Sequence, residues 1–509
     1  MPAEEFELVV VGGGAAGLSA ARTGARLGRR TALAQAGRLG GDCTFSGCVP
    51  SKTLIEAAAR GLPFGQAMAH LHDVVERVAA TEDALALAKQ GITVIEAHAH
   101  FTGHKRLAAG GHALLAKRVV LATGSSPAVP PVAGLGELAY LTNETVFELV
   151  DLPRSLAVLG GGAIGCELAQ AFARFGANVS IIEAEGRLLP HEEPEASEVV
   201  AQSLSAAGVK VLLNARVTRA SRSGRGVSLE LADGASVQAE QLLVATGRSP
   251  AAQGLDPKAG GVELDPRGFV RTDSRLRTSA PGVYAAGDVT GRALLTHAAD
   301  EMGRIAVHNA FSRLPRRHFD SLVVPQVTFT DPEVARVGLT EAEAAGKAGR
   351  ARVAFLPMSA VDRALAAQRT EGFVKLIAGR RGVLGGTGGG VLLGATVVAP
   401  RAGEMVHEVV LAMSTRMFAG SLAQAVHAYP TWSTAVRQAA AQFFFEVDGR
   451  RARPARPSGA QGRYALMWPY RATMGGARGR PKKLDQSSYS IDANREEEVC
   501  PHRRAQRKA

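Results

Sequence analysis

The sequence predicts an α/β protein in which two units of one design stand in series ahead of a C-terminal α+β domain. Two glycine fingerprints carry the first part of that reading. Residues 7–17, ELVVVGGGAAG, read as a buried strand ending in Gly12, Gly14 and Gly17, then a helix from Leu18 onward. Residues 156–165, LAVLGGGAIG, repeat the design with Gly160, Gly162 and Gly165. The first glycine of each set makes the turn, the second admits a pyrophosphate, and the third permits close helix packing, while the helix N-terminus stabilises phosphate charge. The second observation is that VVLATGSSP at 119–127 returns nearly word for word as LLVATGRSP at 242–250, an internal repeat. Third, the composition becomes strand-rich from Val323, with helical segments around 402–419 and 421–425, which reads as a separate α+β domain. The fold is therefore two Rossmann-like dinucleotide-binding domains followed by an α+β domain.

At 509 residues the chain exceeds what one core supports, and 46% hydrophobic with 21% charged residues describes an ordinary soluble enzyme. Four cysteines do not make a secreted disulfide framework and suit a reducing cytosol, so a cytoplasmic location is expected. Acidic rather than basic residues precede the first apolar run, unlike a signal peptide, and no stretch of roughly 18 apolar residues predicts a membrane span. The net charge of +12 is uneven: residues 450–509 hold 15 Lys or Arg against 5 Asp or Glu, which leaves +2 for the body. The body is thus not a nucleic-acid surface, and the aperiodic Arg-, Pro- and Gly-rich tail is expected to be disordered.

The stretch from Gly40 to Lys52, GGDCTFSGCVPSK, places Cys43 and Cys48 at a spacing that permits a disulfide. Bridging needs Cα atoms within roughly 7 Å, and so short a loop forms and reforms readily. A structural disulfide or a metal pair would leave the flanking Gly40, Gly41, Gly47 and Pro50 unexplained. Glycines let a flat partner approach the backbone. With a fingerprint just upstream, the pair reads as a dithiol/disulfide that exchanges electrons with a bound flavin, and no resident metal is expected.

The strand after each fingerprint should end in a group that grips ribose hydroxyls. Gln35 stands there in the first unit and Glu183 in the second, each twenty-three residues after its first glycine. An amide oxygen accepts hydrogen bonds less strongly than a carboxylate. The turns at Gly124 and Gly247 return the chain to each nucleotide, and Asp288 in PGVYAAGDV follows a strand and glycine turn where a carboxylate can accept from a sugar-like chain.

Two fingerprints, a CxxxxC pair between them, the GD turn and the HAYPTW segment together resemble the class I pyridine nucleotide-disulfide oxidoreductases over residues 5 to about 447. That family includes dihydrolipoamide dehydrogenase, glutathione reductase and mercuric reductase, all FAD-containing homodimers. The resemblance implies an FAD domain over 1–150 completed by 273–322, an NAD(P) domain over 151–272, a dimerisation domain over 323–449 and a basic tail over 450–509. It implies FAD at Gly12, Gly14, Gly17, Gln35, Gly41, Lys52, Gly124 and Asp288, and the nicotinamide cofactor at Gly160, Gly162, Gly165, Glu183 and Gly247. NAD(H) is expected over NADP(H), because Glu183 would repel a 2′-phosphate, with Arg187 nearby opposing this. Cys43 would be the exposed thiol that exchanges with substrate and Cys48 the charge-transfer thiolate against the flavin. Lys52 and Glu167 match the ion pair beside flavin N5.

In the lipoamide and glutathione branches a histidine of an H-P-T segment, held by a glutamate five residues later, manages protons across the dimer interface. Here Tyr429 and Thr434 occupy those positions, and His427, two residues early, reads as a structural neighbour. A phenol with pKa near 10 is a poor acceptor at neutral pH, so the chain resembles the mercuric-reductase branch better at this point. Yet the tail offers only Cys500, where that branch ends in a cysteine pair. The resulting expectation is a homodimer passing electrons from NAD(P)H through FAD and Cys43–Cys48 to a small disulfide, metal ion or related acceptor. The alternatives are a dihydrolipoamide dehydrogenase of 2-oxoacid complexes and a tail-directed binding protein with vestigial catalysis.

Overall fold

The computed structural model describes residues 3–314, 317–380 and 387–457. Strand Glu4–Val11 lies inside a seven-stranded sheet, paired in parallel with Thr31–Ala34 on one side and His112–Leu121 on the other. Because side chains alternate along a strand, its two apolar sets enter different cores. Leu8 and Val10 pack with residues of helices Ala15–Arg26 and Thr296–Phe311, while Val9 and Val11 pack with Phe101, Leu107 and Val283 on the other face. Both faces are buried, which is why the strand reads as a continuous apolar run. Val283–Ala285 adds in parallel to the far side of His112–Leu121, so the chain returns to its first sheet after an excursion of more than a hundred residues.

The excursion is the second unit. Strands Ser155–Leu159, Asn178–Ile182, Lys210–Leu212 and Gln241–Val244 form a parallel sheet, with an antiparallel ribbon, Val217–Ser223, Gly226–Leu231 and Ser236–Ala239, beside it. The two units touch through their repeated segments. Arg248–Pro250 pairs antiparallel with Ser125–Pro127.

The third part is a six-stranded antiparallel sheet, in the order Gln326–Thr328, Glu333–Gly338, Val391–Ala399, Phe373–Gly379, Arg352–Pro357 and Arg453–Pro454. Helices Ala402–Met405, His407–Ser414 and Ala419–Gln424 fall in the expected region, and Thr434–Ala441 adds one that apolar spacing did not reveal. Its buried Ala435, Val436, Ala439 and Ala440 pack beneath the sheet.

Two expectations change here. The first helix begins at Ala15 rather than Leu18, because Gly14 already serves as its N-cap. Disorder from Arg450 is also incorrect for residues 450–457. Arg453–Pro454 completes the third sheet, the Ala455 N–H donates to the Ala351 carbonyl at 2.9 Å, and Arg453 pairs with the buried Glu341. A two-residue strand has no periodicity to detect. The rest of the tail, 458–509, lies outside the described residues.

A buried charge cluster joins the second unit to the third. Lys375, fully buried on strand Phe373–Gly379, has its Nζ 3.2 Å from Glu193, 2.8 Å from Glu195 and 3.2 Å from Glu341. Burial alone would discharge the lysine; the three carboxylates instead hold its pKa above the ordinary value. Among the described residues no helix is long and apolar enough to cross a membrane.

Candidate active site

The segment between the cysteines folds as a tight turn. Cys43 lies on the short helix Gly41–Phe45 and Cys48 opens helix Cys48–Ala59. The Asp42 carbonyl accepts the Ser46 N–H at 2.9 Å, and a Cβ on Gly47 would fall 2.7 Å from that same oxygen, so only glycine fits there. The turn sets the two cysteines beside each other as an unbridged pair, close enough to shift each other's ionisation. Cys43 is half-buried and Cys48 is exposed, the reverse of the order of exposure that the resemblance implies.

The two thiols are unequal. The hydrogen bond from Cys43 is the largest influence on Cys48, and with Thr296 and the Lys52 charge it pulls Cys48 down to about 6 against burial and Glu167. The same bond, with burial, pushes Cys43 far up. At pH 7 the pair is a thiolate at Cys48 held by a thiol at Cys43. Thr296, at the start of helix Thr296–Phe311, places its Oγ1 3.2 Å from Cys48 Sγ.

Lys52 stands one helical turn after Cys48, on the same face. Its Nζ lies 2.8 Å from Glu167 Oε2 and 4.5 Å above the Phe329 ring. Glu167 is 5% exposed, and its other oxygen accepts the Phe329 N–H at 2.7 Å. Glu167 of the second part of the chain and Phe329 of the third thus fix the Lys52 cation of the first.

The two nucleotide-binding turns are built alike. Gly12 has φ +103° and a Cβ there would lie 2.3 Å from the Ala122 carbonyl oxygen; Gly160 has φ +110° and the corresponding separation from Ala245 is 2.5 Å. A Cβ on Gly17 or Gly165 would lie 1.7 or 2.0 Å from the carbonyl oxygen of Gly12 or Gly160, so helix and turn meet backbone to backbone. Both following helices, Ala15–Arg26 and Ala163–Phe175, start at a glycine N-cap, Gly14 or Gly162, with no side-chain cap. Such ends offer free N–H groups to an anion. At the ribose positions Gln35 Oε1 accepts the Gly13 N–H at 2.7 Å and Glu183 Oε2 accepts the Gly161 N–H at 2.6 Å. The sites then diverge. Glu183 Oε1 accepts from the Glu185 N–H at 2.8 Å, whereas the Gln35 amide nitrogen donates to the Ala36 carbonyl at 2.7 Å.

The first turn fits a flavin dinucleotide on three further observations. Gly41 approaches Gly14 so closely that its Cβ would lie 2.8 Å from the Gly14 Cα, which leaves the helix end bare of side chains. Thr123 Oγ1 is buried with no hydrogen-bond partner, and Gly124 has open space beyond its Cα. Asp288, pushed up by burial, accepts from Ser125 Oγ at 2.6 Å, and Arg248 Nε lies 3.5 Å from it. The second turn has open space at Gly162 and Gly247. Arg187 is occupied by the Pro190 carbonyl.

Cys43, Cys48, Lys52 and Glu167 therefore converge, and Gln35, Glu183, Gly124, Gly247 and Asp288 each sit beside their turns. Tyr429 lies apart, 72% exposed, its hydroxyl donating to Asp362 at 2.9 Å. His427 is held by Glu408 at 2.9 Å and by the Ala425 carbonyl, and Thr434 bonds to Thr431 at 3.1 Å. Sequence reasoning passed over Thr296, Asp42, Asp362 and Arg248. The last had a signal: it is the charged departure in the repeat, where Ser125 stands in the first copy. Among the described residues no group of three His, Cys, Asp or Glu could hold a metal ion.

Residues 6–303 match the model of the pyridine nucleotide-disulphide oxidoreductases, and residues 324–440 match the dimerisation domain of that family. The chain belongs to the pyridine nucleotide-disulphide oxidoreductase family. It is an FAD-containing oxidoreductase of that family, binding FAD and a pyridine nucleotide, with a disulfide redox centre. Among relatives, it is 36% identical over 463 residues to a dihydrolipoyl dehydrogenase of Chlorobaculum tepidum, covering 86% of this chain and 97% of that one. It is 32% identical over 465 residues to a mercuric reductase of Bacillus cereus, covering 87% and 72%. Among solved structures, the Cu(II) complex of the HOCl-induced flavoprotein disulfide reductase RclA from Escherichia coli superposes with TM-score 0.79 at 30% identity, covering 86% of this chain and 99% of that one.

Proposed function

We propose that this oxidoreductase takes electrons from a nicotinamide cofactor, preferentially NADH, and delivers them through the Cys43–Cys48 pair to a metal ion, a disulfide or a related small acceptor. The observation that carries the reading is the placing of Cys43 and Cys48 on one tight turn with Thr296 3.2 Å from Cys48 Sγ and the Lys52–Glu167 ion pair one helical turn on, a setting that draws the Cys48 thiol down. Bound FAD would supply the two-electron link between nicotinamide and disulfide. Gly12, Gly14, Gly17, Gln35, Gly41, Gly124 and Asp288 would hold it, and Gly160, Gly162, Gly165, Glu183 and Gly247 would hold the nicotinamide cofactor.

The work of the other residues follows from their chemistry. As the Cys43–Cys48 bond breaks, two electrons and one proton arrive, leaving a thiol at Cys43 and a thiolate at Cys48. Thr296 donates to that thiolate, and Lys52, aimed by Glu167, supplies a fixed positive charge where negative charge gathers. Cys43 then meets the acceptor. Its proton must leave, and the phenol of Tyr429 is pushed still higher by the Asp362 carboxylate, so it accepts protons poorly at neutral pH. An acceptor that binds sulfur directly, such as a soft metal ion, asks least of Tyr429. The mercuric reductase relative and the Cu(II) complex of the RclA neighbour favour the same class.

The working unit in this proposal is a homodimer, with Tyr429 placed across the interface beside the partner's site. Its parts are an FAD domain over 1–150 and 273–322, an NAD domain over 151–272 and an interface domain over 323–449. The dihydrolipoamide dehydrogenase reading stands second, favoured by the 36% identical relative. A turnover panel of mercuric ion, Cu(II), lipoamide, glutathione disulfide and quinones, driven by NADH, tests the choice. Fast reduction of lipoamide with none of the metal ions would reverse the order.

A further inference from the structure

Arg248 opens strand Arg248–Pro250, the part of the second unit that pairs with Ser125–Pro127 of the first. Its side chain is only 14% exposed. Nε donates to Ser125 Oγ at 2.6 Å, Nη2 donates to the Ser125 carbonyl at 2.8 Å, and the same Nη2 pairs with the Asp42 carboxylate. Asp42 immediately precedes Cys43. Its own carbonyl takes the Ser46 N–H and packs against Gly47, so its main chain forms the floor of the turn between the cysteines. Asp42 therefore ties that turn to the second unit, with its main chain on one side and its side chain on the other.

We propose that the Asp42–Arg248 ion pair is a positioning device that sets the dithiol–disulfide equilibrium of Cys43 and Cys48 by fixing the turn between them. The inference rests on the reading of these cysteines as the redox pair. An internal disulfide is stable in proportion to the effective concentration of one thiol at the other, and that concentration depends on how firmly the turn is held. A planar guanidinium with several fixed donors holds orientation better than a point charge. Loosening the pair lowers the effective concentration and favours the dithiol. It also weakens the support that Cys43 gives the Cys48 thiolate; that loss opposes the dithiol where Cys48 is ionised, so the equilibrium is read below pH 6, where it is not.

Full-length FAD holoenzyme is equilibrated with dithiothreitol redox buffers, trapped by alkylation and mapped at the Cys43 peptide by mass spectrometry. Below pH 6, where Cys48 stays protonated and its lost thiolate support does not enter, the protein disulfide and one reduced dithiothreitol give Cys43 thiol, Cys48 thiol and oxidised dithiothreitol. Arg248→Met and Asp42→Asn should each shift the equilibrium toward the dithiol by about tenfold, about 30 mV for this two-electron couple. Both should raise the alkylation midpoint of Cys48, and Arg248→Lys should restore part of each effect. A merely structural contact would lower the unfolding midpoint and leave both thiol readouts in place. Asp42→Asn keeps the side-chain shape and carries the test if Arg248→Met does not fold. Equilibria within about twofold of wild type in both variants, with an unmoved Cys48 midpoint, overturn the inference. A wild-type protein that forms no Cys43–Cys48 disulfide in oxidising buffer would instead overturn the redox-pair reading.

Discussion

Arg248 and Ser125 occupy the same place in the two copies of the repeated strand-and-turn segment, and they bind each other: Nε of one donates to Oγ of the other at 2.6 Å. The repeat therefore gives the chain both its two nucleotide units and the joint between them. The joint leads through Asp42 to Cys43 on one side and through Ser125 to Asp288 on the other.

The Cys48 thiolate should titrate well below an ordinary thiol. In the reduced protein, alkylation of Cys48 should follow a midpoint near 6, the value to which Cys43, Thr296 and Lys52 bring it. A depressed acid stabilises the fold where it is ionised in the native state, so this contribution is complete above the ordinary value of 9 and lost as pH falls through about 6. Cys43→Ala should raise the midpoint, because it leaves no donor beside the Cys48 thiolate. A midpoint that stays above 8 in wild-type protein would contradict the account of the pair.

Both fingerprints, the repeat, the cysteine pair and Lys52 were legible in the sequence because each is local: residues within a few places of one another set a strand, a turn and a helix end. Glu167 was legible only through the family pattern, since it meets Lys52 from 115 positions away. Thr296 was not legible, being 248 positions from Cys48, with only an ordinary helix start around it. Arg248 was passed over because the repeat was read for agreement, and the interacting residue is where the copies disagree. The closing strand Arg453–Pro454 was too short to carry a pattern, and its partner Glu341 lies more than a hundred residues upstream.

Lys375 is the lysine whose loss should cost the fold most. Lys375→Met would leave Glu193 buried without its cation and Glu341 with Arg453 alone, and breaking a buried pair in this way costs about 3–5 kcal/mol. Urea denaturation should register it as a fall in midpoint with little change in slope. Because the folded lysine has a raised pKa, its contribution is present below the ordinary 10.5 and fades as pH rises beyond it. A variant as stable as wild type at pH 7 would refute the cluster's role.

NADH should exceed NADPH in kcat/KM by about tenfold or more, because like charges brought together cost several kcal/mol. Glu183 presents a carboxylate fixed by the Gly161 and Glu185 N–H groups, and Arg187 is engaged by the Pro190 carbonyl rather than free for a phosphate. Glu183→Gln should narrow the ratio. Equal use of both cofactors by wild-type protein would count against the proposed preference.

Truncation should separate the two parts of the tail. Removing residues 458–509 should leave the unfolding midpoint and FAD content unchanged. Removing 450–509 also takes away Arg453, the partner of the buried Glu341, and should destabilise the protein by about 1–3 kcal/mol. Identical melting curves for the two truncations would show that the closing strand contributes nothing.

The central claim is that electrons from the nicotinamide cofactor reach the acceptor through Cys43 and Cys48. The direct measurement is anaerobic addition of NADH to oxidised holoenzyme, followed by rapid alkylation and mass mapping. Cys43 and Cys48 should be unreactive before NADH and both alkylated after it. Cys43→Ser and Cys48→Ser should keep their FAD yet lose turnover with every acceptor of the panel. A disulfide that stays closed under NADH while acceptor turnover continues would contradict the account.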